Sequence, residues 1–310
     1  MEPFCRTCIT IGRLAFFVVL LVTSLVSASL AQQAVTRNAA ATVAVADSGN
    51  PYEQNQLGIT SALVLGPGRS ITDAHKWFEK SARQGYAPAQ VNLGVLYANG
   101  WGTPQNFGAA LYWLKAGADQ GSARAKTNLG ILYLKGWGVK QDYAEALRYF
   151  RVAAEGGDTG AMVDLGFMSD SGLGVAVDHA VAAEWYRKAA ERGNPMGQNN
   201  LADQYLRGEG VPQNDALALA WFRKAAEGGN TGARIKLGYM YATRRGTPKD
   251  LEAAYVWILA ASLCGDRRGD AYLPELEAQL TAGQLERAKR RAGELQATPA
   301  SSAEEMAFVQ

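Results

Sequence analysis

The stretch NLGVLYANGWG, residues 92–102, returns as NLGILYLKGWG at residues 128–138, 36 residues later with three substitutions. A fixed internal period of this length marks a chain built from stacked units, each too small to bury its own apolar face. Laid over itself at the same step, the sequence puts Gly85, Gly121, Gly157, Gly193, Gly229 and Gly265 in one column without an insertion. Trp77, Trp113, Tyr149, Trp185, Trp221 and Trp257 fill a second column. Leu57, Leu93, Leu129, Leu165, Leu201, Leu237 and Leu273 fill a third, usually followed by glycine, and the loop pair Gly100 and Gly102 recurs through Gly208 and Gly210.

Each unit reads as two short helices. Ser122, Asp158, Asn194, Asn230 and Asp266 fall where a helix needs a short polar side chain to accept from the free amides of its first turn, and Pro195 suits the position after Asn194. Ser70, Asn106, Asp142, Asp178, Asn214 and Asp250 open the other helix in the same way. The glycine column just before the first caps marks helix ends that turn left-handed. Val181, Ala182, Trp185, Ala189 and Ala190 recur at three- and four-residue intervals, one face of a helix. On this reading the large rings of the tryptophan column fill the core between close-approaching alanines.

The units GARIKLGYMYATRRGTPKDLEAAYVWILAASLCG and GQNNLADQYLRGEGVPQNDALALAWFRKAAEGG resemble the Sel1-like repeat, a relative of the tetratricopeptide repeat. Five units in register span residues 86–265, and residues 52–85 read as a degenerate first repeat that keeps Leu57-Gly58, Ala74, Trp77 and Phe78 but has Ser61 where the tyrosine belongs. The resemblance implies an all-α fold, a right-handed α/α solenoid of helix-turn-helix repeats, and a role as an adaptor in protein complexes, often in bacterial envelopes. Residues 266–296 become more charged while keeping helical spacing, and are expected to supply a last helix over about 268–280 and a capping helix from Thr281 to Gln296.

The first 31 residues read as an export signal: Arg6 and Arg13 precede the apolar run LAFFVVLLV, and Ser29-Leu30-Ala31 offers a small-x-small cleavage site, with Val26-Ser27-Ala28 as a second. The alternative is a retained anchor, since the apolar run extends through Leu25. The expected destination is periplasmic or secreted, with no membrane span after cleavage. Residues 32–51 and 297–310 are small and polar without a sustained period, and read as a linker and a disordered tail. Cys5 and Cys8 would leave with the signal, so the processed chain would carry Cys264 alone and no internal disulfide.

The 31 basic and 29 acidic residues balance to +2, a poor footprint for nucleic acid. His75 and His179 occupy different repeat positions with no catalytic pattern around either, and no zinc spacing, Walker loop or S-x-x-K occurs, so neither a catalytic residue nor a metal or cofactor is expected. Some cysteine-rich relatives carry a β-lactamase description, but this chain lacks their cysteines. What varies between repeats is more informative. The residue inside the loop glycines runs Trp101, Trp137, Leu173, Glu209, Arg245, so Trp101 and Trp137 are candidates for an apolar contact with a protein partner, or with a cell-wall glycan or peptide. The competing reading folds each indole back over its own helix pair. Arg287, Lys289, Arg290 and Arg291, with Arg267 and Arg268 nearby, form a candidate basic patch for acidic partners. Arg244 replaces the first loop glycine of the fifth unit, so its loop is expected to differ from its siblings. The favoured function is an exported, non-enzymatic adaptor; the alternative is an envelope accessory acting on peptidoglycan-derived ligands.

Overall fold

The computed structural model describes residues 49–63 and 70–297. The expected signal (1–31), most of the linker and the tail from residue 298 lie outside these residues. Helices α1 (Pro51–Leu63) and α2 (Ile71–Arg83) form the first pair, α3 (Ala87–Asn99) and α4 (Phe107–Asp119) the second, α5 (Ala123–Lys135) and α6 (Tyr143–Glu155) the third. The series continues through α7 (Thr159–Ser171), α8 (His179–Glu191), α9 (Pro195–Arg207), α10 (Asp215–Glu227), α11 (Thr231–Thr243) and α12 (Leu251–Leu263). A 3₁₀ segment (Arg267–Tyr272), α13 (Leu273–Glu277) and α14 (Ala282–Ala297) close the stack, and no strand occurs among the described residues. Each helix packs against its neighbours in sequence, most extensively within a pair. This is the expected α/α solenoid.

The caps explain why the helices are so uniform. Asn106 Oδ1 accepts from Ala109 N at 3.0 Å, Asp178 Oδ1 from Val181 N at 3.0 Å, and Asn230 Oδ1 from Ala233 N at 2.8 Å. At the other end, Gly100, Gly136, Gly172 and Gly208 adopt left-handed φ of 68–73°, returning an amide to the last turn. Arg244 adopts the same conformation, φ 62°, with its N–H on Met240 O. The expectation of a divergent fifth loop is therefore corrected: the surrounding frame imposes the turn even on a side chain that resists it.

The core departs from the sequence reading in one column. Trp77, Trp113, Tyr149, Trp185, Trp221 and Trp257 are only half-buried, and Val181 is exposed. The fully buried column is the next residue along: Phe78, Leu114, Phe150, Tyr186, Phe222 and Ile258. One step on a helix is about 100°, enough to turn the neighbour squarely onto the partner helix. There it meets the glycine after the leucine column. A methyl at Gly130 would lie 2.6 Å from the Phe150 ring, one at Gly166 2.5 Å from Tyr186, and one at Gly238 2.6 Å from Ile258. These helical glycines are sockets for rings and branched chains. Trp77, Tyr149, Trp185 and Trp221 of this column are covered by cations, Lys188 lying 4.1 Å from the Trp185 ring centre and Lys224 4.3 Å from Trp221.

The carboxyl end differs from the expected helix over 268–280. Asp266 caps a 3₁₀ turn, Gly269 packs against Ile258, and Pro274, which has no amide to donate, sits in the first turn of the short α13 that follows directly. Thr281 and Gln284 then exchange hydrogen bonds, Gln284 N to Thr281 Oγ1 at 3.3 Å and Thr281 N to Gln284 Oε1 at 3.0 Å, opening α14. The cap is fastened by Arg234, a buried residue of α11 whose guanidinium donates to Ala260 O, to Leu295 O of α14 and to Cys264 Sγ at 3.0 Å. Among the described residues no helix is long and apolar enough to cross a membrane.

Candidate partner-binding groove

Residues at i, i+4, i+7 and i+11 share one helical face. On α5 they are Arg124, Asn128, Ile131 and Lys135; on α7, Gly160, Asp164, Phe167 and Ser171. The odd-numbered helices thus carry a stripe that the pairing does not consume, and Phe167 and Tyr239 on it are 43% and 45% exposed.

Between α3 and α5 this surface deepens to a cavity of about 370 Å³ lined by Val95, Asn99, Leu114, Arg124, Asn128 and Ile131, with Trp101 and Trp137 both contributing. The fold therefore brings the two candidate indoles to one site. Their settings differ. Trp101 is half-buried against the cluster that contains Phe78, Leu93 and Leu96. Trp137 is 41% exposed and stacks on Phe107, ring centres 5.4 Å apart at 20°. Phe107 opens the second helix of the preceding repeat, so Trp137 leans across a repeat boundary instead of folding over its own pair. Ile71 stands at the corresponding place beside Trp101 and offers no ring.

Arg124 supplies the charge in the cavity. Its Nη1 donates to Asn92 Oδ1 at 3.1 Å, and Asn92 Nδ2 donates in turn to Asn55 Oδ1 at 3.0 Å. Burial pushes the guanidinium down to about 10, against a weaker pull from Asp158. One repeat on, the character changes. Asp164 takes the place of Asn128, and although its surface is partly open, burial around the carboxyl pushes it up to about 7, with Asp158 acting in the same direction and Lys135 opposing. Lys236 donates to Asn199 Oδ1 at 3.1 Å and pairs with Asp203. Asp170 Oδ1 accepts from Gln204 Nε2 at 2.9 Å and lies 2.5 Å from His179 Nδ1; the His179–Asp170 hydrogen bond is the main cause that raises the His179 pKa.

The other candidates are dispersed. His75 on α2 stands edge-on to Tyr97 at 5.1 Å with its pKa lowered by burial, far along the stack from His179. The basic patch is partly neutralised within the cap: Arg287 pairs with Glu252 at 2.9 Å and Lys289 with Glu277 at 3.4 Å. Arg267 and Arg268 pair with Asp270 and Asp266. Arg290 and Arg291 are exposed with no ion pair among the described residues. No group of three or more His, Cys, Asp or Glu that could hold a metal occurs among the described residues. Sequence reasoning missed Arg124 and Asp164 because a single charge in a helix reads as solvated surface. For Asp164, the 36-residue register with Asn92, Asn128 and Lys236 was the available clue.

The family model described as Sel1 repeat matches six consecutive stretches: residues 54–86, 87–122, 123–158, 159–194, 195–230 and 232–266. A Sel1 repeat protein from Oxalobacter formigenes is 36% identical and superposes with a TM-score of 0.61, the match covering 69% of this chain and 85% of that one. The protective antigen c5321 of uropathogenic Escherichia coli strains, described as displaying an SLR fold, is 34% identical with a TM-score of 0.59; the match covers 83% of this chain and 56% of that longer one. The immunity protein Pa5087 from Pseudomonas aeruginosa, 20% identical at a TM-score of 0.52 over 73% of this chain and 86% of that one, shares the fold. No curated protein matches the chain.

Proposed function

Because this chain belongs to the Sel1 repeat family, whose repeats generally serve as protein–protein interaction scaffolds, we propose that it is an exported, non-enzymatic adaptor that holds a protein partner in a bacterial cell envelope. The observation that carries this reading is the groove itself: two indoles, Trp101 and Trp137, converge on a cavity of about 370 Å³ that the helix pairing leaves open. Large aromatic side chains bring much contact area at little entropic cost, and such anchors dominate binding energy at interfaces. The frame around them is built from capped helices and buried rings, so the groove is rigid before a partner arrives.

Crosslinking and capture from intact cells with the processed chain, beside a Trp101→Ala, Trp137→Ala double variant, tests the reading. Discrete envelope proteins lost in a variant that still melts like the parent support an adaptor. Capture that is indifferent to the indoles overturns this face, and co-purifying cell-wall fragments with turnover would favour the accessory-enzyme alternative. Export has its own test: the amino-terminal sequence of the envelope-fraction protein, expected to begin at Gln32.

A further inference from the structure

We propose that the boundary between the α7–α8 and α9–α10 pairs is a pH-sensitive joint: protonated His179 ties α8 to Asp170 of α7 and to Glu209 in the loop after α9, whereas neutral His179 keeps the hydrogen bond to Asp170 but loses the pull of Glu209. The inference concerns how the stack holds itself and does not need the adaptor reading.

The joint belongs to a column. At each boundary the second loop glycine sits against the residue that opens the second helix of the preceding pair: Gly102 on Ile71, Gly138 on Phe107, Gly174 on Tyr143, Gly210 on His179 and Gly246 on Asp215. The residue just before that glycine turns to the same partner. Trp137 stacks on Phe107 at 5.4 Å, Leu173 and Tyr143 pack into one apolar cluster, and Arg245 donates to both carboxylate oxygens of Asp215, at 2.8 and 3.0 Å. Apolar contacts and an arginine–aspartate pair are unchanged across the neutral range, but an imidazole is not.

Carboxylates face His179 from three sides. Its Nδ1 lies 2.5 Å from Asp170 Oδ1, the oxygen that also accepts from buried Gln204 of α9 at 2.9 Å, so α7, α8 and α9 meet at one carboxylate. From the loop Glu209, itself 3.7 Å from Arg207, attracts the cation. On the same helix Asp178 accepts from Ala180 N and Val181 N, which offsets the free amides that oppose a cation at a helix start. The Asp170 hydrogen bond, with the charges of Asp170, Glu209 and Asp178 behind it, holds the His179 pKa above its ordinary value of 6.5, against some desolvation. A group raised in this way stabilises the fold fully below its ordinary value and loses that contribution as pH rises through the folded one. The joint is therefore tight in acid and looser in base, and through Asp170 and Gln204 it governs how two stripe-bearing helices, α7 and α9, are held.

The experiment follows both histidine rings of the processed full-length chain by NMR from about pH 5 to 9, with His75→Gln assigning the signals. Amide exchange of residues 204–214, corrected for intrinsic rate, is compared at about pH 5.5 and 8.5. Exchange is read in an Asp164→Asn background, because that carboxyl also titrates as pH rises. Expected is a His179 midpoint above 6.5 that falls in Asp170→Asn and, by less, in Glu209→Gln. Exchange should be at least about threefold slower at the acid value, and the difference should vanish in His179→Gln, which keeps a donor but cannot titrate. If that variant unfolds, the ring titrations of the parent and of Glu209→Gln decide the matter. A His179 midpoint at or below 6.5, or one that Glu209→Gln leaves unmoved, overturns the inference. So does exchange that ignores pH, or that keeps its pH difference in His179→Gln.

Discussion

Helices α5 and α7 are framed alike but carry different kinds of ionisable group on the free stripe, cations on α5 and a carboxyl on α7. Ser122 and Asp158 cap them by the same bond, to Ala125 N and Ala161 N, and both end on a left-handed glycine, Gly136 at φ 71° and Gly172 at φ 68°. Each has a socket glycine filled from the partner helix, Gly130 by Phe150 and Gly166 by Tyr186. Yet the free stripe of α5 carries Arg124 and Lys135, whereas α7 has Gly160 and Ser171 at those places and Asp164 opposite Asn128. The difference separates two kinds of position: those that hold the stack and repeat with it, and those the stack does not need, which are open to carry recognition.

The largest effect should come from breaking the frame. At Gly210 a methyl would overlap the carbonyl oxygen of His179, and the backbone is left-handed at φ 70°. Gly210→Ala should cost about 2–5 kcal/mol of strain and overpacking, read as a lower denaturation midpoint. A change within error would mean that the repeat boundary is looser than the shared frame requires.

Next comes the stripe. Asp164 holds its proton up to about pH 7, so the folded state favours the neutral form. Its contribution to stability is therefore best below the ordinary carboxylate range and is lost as pH rises from about 4 through 7. Asp164→Asn, the side chain its siblings Asn128 and Asn200 already carry, should raise stability at pH 8 by about 1–3 kcal/mol and change little at pH 4. Equal effects at both values would show that the carboxyl is solvated, and that α7 differs from α5 only in name.

Arg244 tests the frame in the opposite direction. It occupies a left-handed cap that glycine fills in the sibling repeats, so Arg244→Gly should stabilise by about 1 kcal/mol in the same unfolding assay. A loss instead would assign the arginine a contact worth more than its strain. The smallest effect belongs to the exposed cap pair: Arg287→Ala removes its bond to Glu252 and should leave the midpoint unchanged at physiological salt.

The solenoid was legible because its determinants are local and recur. A cap needs one polar side chain at a helix start, a left-handed turn needs a glycine, and both returned every 36 residues with the helices that the structure places between them. The core was half legible. The tryptophan column caught the eye, but Leu114 and Ile258 stand among the rings of the buried column, so it does not read as one kind of residue. Only the geometry of the paired helix, pressing a ring into Gly130 or Gly166, identifies which neighbour goes inside.

The sequence by itself determined the repeat, the caps and turns, and the two indoles that break the pattern, since each depends on contacts a few residues apart. Tertiary structure alone decided that Trp101 and Trp137 share one cavity, that Trp137 leans on Phe107 of the preceding repeat, that Arg124 enters the groove while Arg287 is tied to Glu252, and that Arg244 submits to a glycine's turn. Those outcomes depend on residues about one repeat apart being stacked face to face, and on the burial that stacking creates. A charge in a sequence has no dielectric around it until the neighbouring helices are in place.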